Sequence, residues 1–168
     1  YEKAAELGDK EALFNLGSFY IEGNGVEQDF SKAKEYFEKA VKLGNKRAFT
    51  KLGFLYEDGK GVEQDFAKTK EYYEKAAELD DEHALTCLGY LYVKGKRVEQ
   101  DFFKAKDCFE KAAEFDDVNA LTCLGYMYEK GDGVEKDLNK AKEYYEKVAG
   151  FGYEDALNYL NRLGNNNK

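Results

Sequence analysis

Residues 48–77, AFTKLGFLYEDGKGVEQDFAKTKEYYEKAA, form the stretch that decides the fold, because close copies of it recur along the chain. Glycine, tyrosine, valine and aspartate positions all repeat with the same step. A fixed period of this kind is typical of proteins that stack one small supersecondary unit several times. The sequence therefore predicts a repeat protein. The period is 36 residues, as one set of alanines shows: Ala12, Ala48, Ala84, Ala120 and Ala156.

Each copy predicts two amphipathic helices, which we call helix A and helix B. In helix A, Ala48, Leu52, Leu55 and Tyr56 have the i, i+4, i+7, i+8 spacing of one apolar face. Helix B follows from Phe66 with a similar pattern. Between them lies Gly-x-Gly-Val, whose glycines allow the positive φ of a tight reversal. Side-chain N-caps are predicted at Asp9, Asn45, Asp81 and Asp117 for helix A, and at Asp29, Asp65, Asp101 and Asp137 for helix B.

These helical pairs predict an all-α fold, a right-handed superhelical α/α solenoid of 36-residue helix-turn-helix repeats without strands. Every full copy has a glycine in the middle of helix A, such as Gly89, at a cost of ~1 kcal/mol relative to alanine. We interpret it as a place where another helix packs too closely for a Cβ atom. The single array is divided into a partial repeat 1–11, full repeats 12–47, 48–83, 84–119 and 120–155, and a half repeat 156–168.

Composition limits the partners. With 26 Lys and Arg against 34 Asp and Glu, the net charge is −8, which disfavours nucleic acid over most of the surface. No apolar run could span a bilayer and no signal peptide opens the sequence, so we expect a soluble protein without membrane insertion. Three cysteines form no close pair, which predicts no disulfide framework and favours a cytoplasmic location over an oxidising compartment.

One full copy reads Ala48-x-x-x-Leu52-Gly53-x-x-Tyr56-x-x-Gly59-x-Gly61-Val62-x-x-Asp65-x-x-Lys68, then Tyr72-Tyr73-x-Lys75-Ala76-Ala77. This pattern resembles the Sel-one-like repeats, relatives of the tetratricopeptide repeats. It differs from the tetratricopeptide repeat mainly in the longer, glycine-bearing turn between the helices. The resemblance implies an adaptor or protein-protein interaction scaffold, which is not an enzyme, has no family-wide catalytic residue and needs no cofactor.

Two sequence patterns could indicate a catalytic or metal site, but the rest of the sequence lacks the other residues that such a site needs. Ser31-x-x-Lys34 matches the Ser-x-x-Lys of penicillin-recognising enzymes, an activity associated with one bacterial branch of the resembled family, but the companion motifs are missing. His83 and Cys87 share one helical face. A zinc site needs four converging ligands, so we predict neither a metal site nor thiol chemistry there.

The sequence departs from its pattern in a turn and at both ends. In copy three, Lys94–Arg97 has arginine where the second turn glycine belongs, which is either a remodelled turn or a contact for a small anion or an acidic partner. Asn161 and Gly164 replace the glycine and tyrosine of the last helix A, as in a polar cap. Because Tyr1 falls in the middle of a helix B, we expect a monomer or a fragment of a longer array.

Positions that differ between copies of helix A form one stripe on one face, one residue before the repeated alanine and two, six and nine after it. In tetratricopeptide repeats the corresponding stripe lines the concave groove. Aromatic residues beside small hydroxyl residues are typical of a binding hot spot, although they could also only pad the inner wall. The predicted binding residues are Phe14, Arg47, Thr50, Phe54, His83, Thr86, Tyr90, Asn119, Thr122 and Tyr126.

The predicted function is a scaffold that binds a basic or neutral peptide or protein segment on its concave face. Two alternatives stay open. The chain could be a spacer segment of a larger repeat protein that binds nothing, or a hydrolase of the penicillin-binding type with its site in the groove.

Overall fold

The computed structural model describes residues 1–95 and 98–165, so Lys96 and Arg97 of the copy-three turn lie outside the described residues. The described residues form ten α-helices and no strand, which confirms the all-α prediction. Helices A and B alternate after α1, which is the end of a helix B. The helices are α1 Glu2–Glu6, α2 Lys10–Glu22, α3 Phe30–Lys42, α4 Lys46–Asp58, α5 Phe66–Ala77, α6 Glu82–Lys94, α7 Phe102–Ala113, α8 Val118–Lys130, α9 Leu138–Gly150 and α10 Asp155–Asn165.

Side-chain caps begin the helices where the sequence predicts them. Asn45 Oδ1 accepts a hydrogen bond from the backbone N–H three residues later at 3.0 Å, and Asp81 Oδ1 does the same at 2.9 Å. Each cap of this kind stabilises its helix by ~1 kcal/mol. The other predicted caps also accept backbone hydrogen bonds: Asp9, Asp29, Asp65, Asp101, Asp117 and Asp137.

Two glycines reverse the chain between helix A and helix B. In copy two, Gly59 and Gly61 both have a φ of 68°, in the left-handed region that glycine adopts without a Cβ clash. Gln64 closes this turn, because its Nε2 donates a hydrogen bond to the Glu57 carbonyl oxygen at 2.6 Å. Between copies two and three the left-handed position is Asp80, with a φ of 55°, which short polar side chains tolerate better than other L-residues.

The repeated lysine of helix B joins the two helices of its own copy. Lys68 Nζ lies 4.9 Å from the centroid of the Tyr56 ring and 3.9 Å from Asp65 Oδ2. The lysine therefore bridges the cap of helix B and the end of helix A through a cation–π contact and an ion pair. The equivalent lysine–tyrosine pairs are Lys32–Tyr20, Lys104–Tyr92 and Lys140–Tyr128.

The glycine in the middle of helix A receives a buried aromatic ring. A Cβ atom on Gly89 would lie 2.5 Å from Cε1 of Phe109, far closer than nonbonded carbon atoms approach. Phe109 is fully buried. The close-packing interpretation is thus confirmed, and the crossing element is helix B of the same copy. The equivalent pairs are Gly17–Phe37, Gly53–Tyr73 and Gly125–Tyr145.

The chain forms two compact units, Tyr1–Ala84 and the residues from Leu85 onward. In the first unit, Phe37, Leu52 and Leu55 lie together in a buried apolar cluster. In the second, Tyr145 packs with Leu163 of the last helix. Each unit therefore has its own hydrophobic core.

Candidate functional site

The candidate residues of helix A divide between the two units, and the structure separates exposed side chains from buried ones within each. The first unit carries Phe14, Arg47, Thr50, Phe54 and His83. The second carries Thr86, Tyr90, Asn119, Thr122 and Tyr126.

Arg47 covers Phe14. The Phe14 ring is only 3% exposed and packs against Phe37, with the ring centroids 5.7 Å apart. The guanidinium carbon of Arg47 lies 4.2 Å from the Phe14 centroid, and Arg47 Nη1 lies 4.0 Å from Glu11 Oε2. Arg47 is exposed. A partner on this face would therefore meet the guanidinium, while Phe14 supports it from below.

Thr50 links α4 to the start of α6, the next helix A. Its Oγ1 donates a hydrogen bond to Asp81 Oδ1 at 3.1 Å, and the same oxygen caps α6. Both residues are buried. A buried carboxylate needs such donors, since an unpaired polar group in the interior destabilises the fold. The Thr50 hydroxyl is thus used within the protein.

Phe54 presents a ring to solvent. Its side chain is 37% exposed, and its edge meets the buried ring of Tyr73 with the centroids 5.6 Å apart at an angle of 74°. Lys51 Nζ lies 6.0 Å from the Phe54 centroid. His83 is also exposed. Phe54 is therefore an aromatic surface whose orientation is held by a core residue.

Tyr90 has the same support in the second unit. Its ring is half-buried and meets Phe109 edge-on, with the centroids 5.5 Å apart. Burial, and the hydrogen bond that links it to Cys123, raise the pKa of Tyr90, so the phenol stays protonated. Burial also raises the pKa of the Cys123 thiol, although Tyr90 opposes this shift. A thiol with a raised pKa is a poor nucleophile, so this pair connects copies three and four and does not indicate catalysis.

The remaining candidates of the second unit differ in exposure. Thr86 is 5% exposed, and its Oγ1 has no hydrogen-bond partner among the described residues. Thr122 Oγ1 donates to the Val118 carbonyl oxygen of its own helix at 2.8 Å. Asn119 is exposed, and Tyr126 is 47% exposed. Only the last two are open to a partner without rearrangement.

The buried ring of helix B and its neighbour in helix A alternate in type between copies, a feature that the sequence analysis missed. This alternation determines which side chains of helix A bond to the buried ring. In copies two and four the buried ring is a tyrosine, and its hydroxyl donates to a glutamate of helix A: Tyr73 to Glu57 at 2.7 Å and Tyr145 to Glu129 at 3.0 Å. In copies one and three a phenylalanine replaces the tyrosine and an aliphatic residue replaces the glutamate. The signal was present in the sequence as the matched pairs Ile21–Phe37, Glu57–Tyr73, Val93–Phe109 and Glu129–Tyr145.

Glu129 is the centre of a buried polar cluster in the second unit. It accepts hydrogen bonds from Tyr145 and from Arg162 of the last helix, although it is only 4% exposed. Burial alone would raise the pKa of Glu129, but the hydrogen bonds and positive charge of Arg162 and the Tyr145 hydroxyl hold it below its usual value. The cluster attaches α10 to copy four.

The patterns considered for chemistry find no support in the geometry. Ser31 is exposed, and Lys34 Nζ forms an ion pair with Glu38 at 2.9 Å. The hydrogen bond to Glu38 raises the pKa of Lys34, so this lysine is protonated at neutral pH and does not serve as the base that activates a serine. Within residues 1–95 and 98–165, no group of His, Cys, Asp and Glu could hold a metal ion. No helix described there is long and apolar enough to cross a membrane.

Comparison with known proteins gives a consistent result. The profile of the family described as Sel1 repeat matches residues 1–9, 10–45, 50–81, 83–114 and 119–149. A search of curated proteins found no match.

Several solved structures are similar to the chain. One is c5321, a protective antigen of uropathogenic Escherichia coli displaying an SLR fold, with 36% identity and a TM-score of 0.85 over 95% of this chain and 34% of that one. Another is a Sel1 repeat protein from Oxalobacter formigenes, with 33% identity and a TM-score of 0.87 over 93% of this chain and 64% of that one. Immunity protein Pa5087 from Pseudomonas aeruginosa is 29% identical, with a TM-score of 0.63 over 93% of this chain and 58% of that one.

The chain thus spans about a third of the length of the Escherichia coli antigen and less than two thirds of the Oxalobacter protein. The predicted helical solenoid is confirmed by three findings: the alternating helical pairs, the family matches along most of the chain and the similarity to these two structures. The chain belongs to the Sel1 repeat family.

Proposed function

We propose that this chain is a protein-interaction scaffold that binds a peptide or protein segment along the exposed face of helix A in successive repeats, the face predicted from the sequence to be concave. Sel1 repeat proteins are generally protein-interaction scaffolds, and their fold is typically not enzymatic. The contact residues are then Arg47, Phe54, His83, Tyr90, Asn119 and Tyr126, supported by Phe14, Thr50, Thr86 and Thr122.

The observation that carries the proposal is the support of surface aromatic rings by buried ones. Phe54 and Tyr90 each rest edge-on against the fully buried ring that fills the glycine of their own helix. A ring held in one orientation loses little conformational entropy when a partner binds, so its buried area contributes more to affinity. Tyr126, at the equivalent position of copy four, is 47% exposed. Padding of an inner wall would not require half-exposed rings.

The test replaces the three rings together. We expect F54A/Y90A/Y126A to lose partner capture from native lysate by more than tenfold, because a true anchor contributes ~1–3 kcal/mol to binding. The matched control is F103A/F115A/F151A, which removes three exposed phenyl rings that lie outside helix A. Captured proteins are quantified by mass spectrometry, and folding is monitored by circular dichroism.

Two outcomes decide. Loss of capture in the helix A variant with retention in the control supports this face as the binding site. Equal capture by both variants contradicts it. If the triple variant unfolds, Y126A alone is used, since its ring is 47% exposed and its removal leaves the core intact.

A further inference from the structure

The connection between α3 and α4 has a charge opposite to that of every other connection from helix B to helix A. Residues 42–47, Lys-Leu-Gly-Asn-Lys-Arg, contain three cationic side chains and no carboxylate. The equivalent segments are 6–11 (Glu-Leu-Gly-Asp-Lys-Glu), 78–83 (Glu-Leu-Asp-Asp-Glu-His), 114–119 (Glu-Phe-Asp-Asp-Val-Asn) and 150–155 (Gly-Phe-Gly-Tyr-Glu-Asp), all with a net negative charge. In a chain of net charge −8, this segment is an electrostatic exception.

The exceptional connection lines an open pocket of about 340 Å³ in the first unit. Three of the lining residues, Lys10, Lys46 and Arg47, are cationic, and Glu11 is the only carboxylate among them. Leu79 adds an apolar wall and is 46% exposed. The pocket therefore combines positive charge with an exposed aliphatic surface.

Contacts within the protein orient Lys46 and Arg47 and leave them able to bind a ligand. Lys46 Nζ donates to the Asp80 carbonyl oxygen at 2.9 Å, which uses one of the three donors of an ammonium group. Arg47 is stacked on the Phe14 ring. The Glu11 carboxylate is shared, since Oε1 accepts a hydrogen bond from Asn45 Nδ2 at 2.9 Å while Oε2 lies 4.0 Å from Arg47. One carboxylate does not neutralise three cations.

We propose that this pocket binds an acidic segment of a protein partner, with a carboxylate side chain between Lys10, Lys46 and Arg47 and a neighbouring apolar side chain on Leu79. The inference rests on the proposed scaffold function and adds that the partner segment at this pocket is acidic. The sequence analysis expected a basic or neutral partner.

Charge complementarity favours this occupant. The surrounding surface repels carboxylates, so an acidic segment is stable at the pocket that these cations line and is excluded elsewhere, which gives specificity and register. A nucleic acid or an anionic membrane would extend far beyond a pocket of about 340 Å³ and meet the acidic remainder of the surface. A short peptide segment avoids that repulsion.

The test measures fluorescence anisotropy with short fluorescein-labelled probe peptides and the full chain. The first probe alternates Glu with Leu, the second alternates Lys with Leu, and the third alternates Glu with Ser. The variant K46E/R47H introduces the residues found 36 positions later, Glu82 and His83, at the start of the equivalent helix α6. The control K136Q/K142E changes the net charge equally at exposed positions outside the pocket, and copies one to three already have Gln where Lys136 lies.

We expect the Glu-Leu probe to bind more tightly at low salt than at high salt, and K46E/R47H to weaken it by ~10-fold or more, as removal of interfacial charges does. The control variant should change the affinity by less than ~2-fold, because exposed charges beyond a Debye length are screened. L79A should weaken the Glu-Leu probe and leave the Glu-Ser probe unchanged, since only the former has a side chain for the apolar wall.

Four results would overturn the inference: no binding of the Glu-Leu probe to the parent chain, tighter binding of the Lys-Leu probe, equal loss in K46E/R47H and the control, or binding of the Glu-Ser probe as tight as that of the Glu-Leu probe. The proposed function fails separately. If F54A/Y90A/Y126A keeps full partner capture while the probe still depends on Lys46 and Arg47, the helix A face is wrong and the acidic-segment pocket stands. If the parent chain does not bind the Glu-Leu probe but F54A/Y90A/Y126A loses partner capture, the acidic-segment pocket is wrong and the helix A face stands.

Discussion

Replacing Gly89 with alanine tests the packing that organises every repeat. The added Cβ would lie 2.5 Å from Phe109 Cε1 and 2.8 Å from both Cδ1 and Cζ, whereas ordinary contact begins at 3.4 Å. The ring would have to move by about 1 Å, but it is fully buried and has no open space to enter. We expect a cost near the upper end of the ~1–3 kcal/mol of overpacking, reduced by ~1 kcal/mol because alanine is the better helix former.

The net destabilisation of ~1–2 kcal/mol corresponds to a melting temperature lower by ~2–8 °C for a chain of this size. Thermal unfolding followed by circular dichroism measures it. Gly150→Ala is the matched control, because it also replaces a glycine in helical conformation but its Cβ meets no atom within 4 Å. That change should stabilise by ~0.5 kcal/mol or less.

A second change separates packing from backbone effects. Phe109→Leu removes the ring atoms that the new Cβ would meet, so G89A/F109L should lose less stability than the two single changes together, with a coupling of ~1 kcal/mol or more. If Gly89→Ala melts at or above the parent temperature, or if the two changes are additive, the close-packing argument is refuted.

Two further predictions concern buried polar groups. Thr50→Val should destabilise the fold by ~1–3 kcal/mol, because it leaves Asp81 with one hydrogen-bond donor fewer. Thr86→Val should be neutral or stabilising, since the Thr86 hydroxyl has no partner within the described residues. Equal effects of the two changes in denaturant unfolding would contradict this. Because folding lowers the pKa of Glu129 from 4.5, its stabilisation is present above that pH and is lost as the pH falls through the folded-state pKa. Arg162→Met should therefore lower the melting temperature at neutral pH and converge with the parent in acid, and a difference that is constant with pH would argue against the ion pair.

Much of the fold could be read from the sequence, because the features that specify it are local. Caps such as Asn45 and Asp81 bond to backbone groups three residues away, and Gly59 and Gly61 reverse the chain within a single turn. The constant period then transfers each local assignment to the next copy. Even the close packing at Gly89 could be inferred, since a glycine that recurs in mid-helix despite its low helix propensity indicates the close approach of another element.

The candidate site could be predicted only as a face, because exposure within that face depends on contacts between copies. Thr50 faces inward because Asp81, the cap of the next helix A, lies within hydrogen-bond distance of its hydroxyl. Phe14 of α2 is buried because Arg47 at the start of α4, the next helix A, covers it.

The pocket for an acidic segment needed both kinds of information. The charge of residues 42–47 is visible in the sequence, but Lys10 and Leu79 line the same pocket only because three copies stack at that point. A periodic pattern states which residues are equivalent in successive repeats. It does not state which side chains of different repeats meet, because that depends on the distance and rotation between stacked helices. Within each copy, the packing of the buried rings against the helix A glycines sets this geometry. Between one helix A and the next, contacts such as Thr50–Asp81 set it.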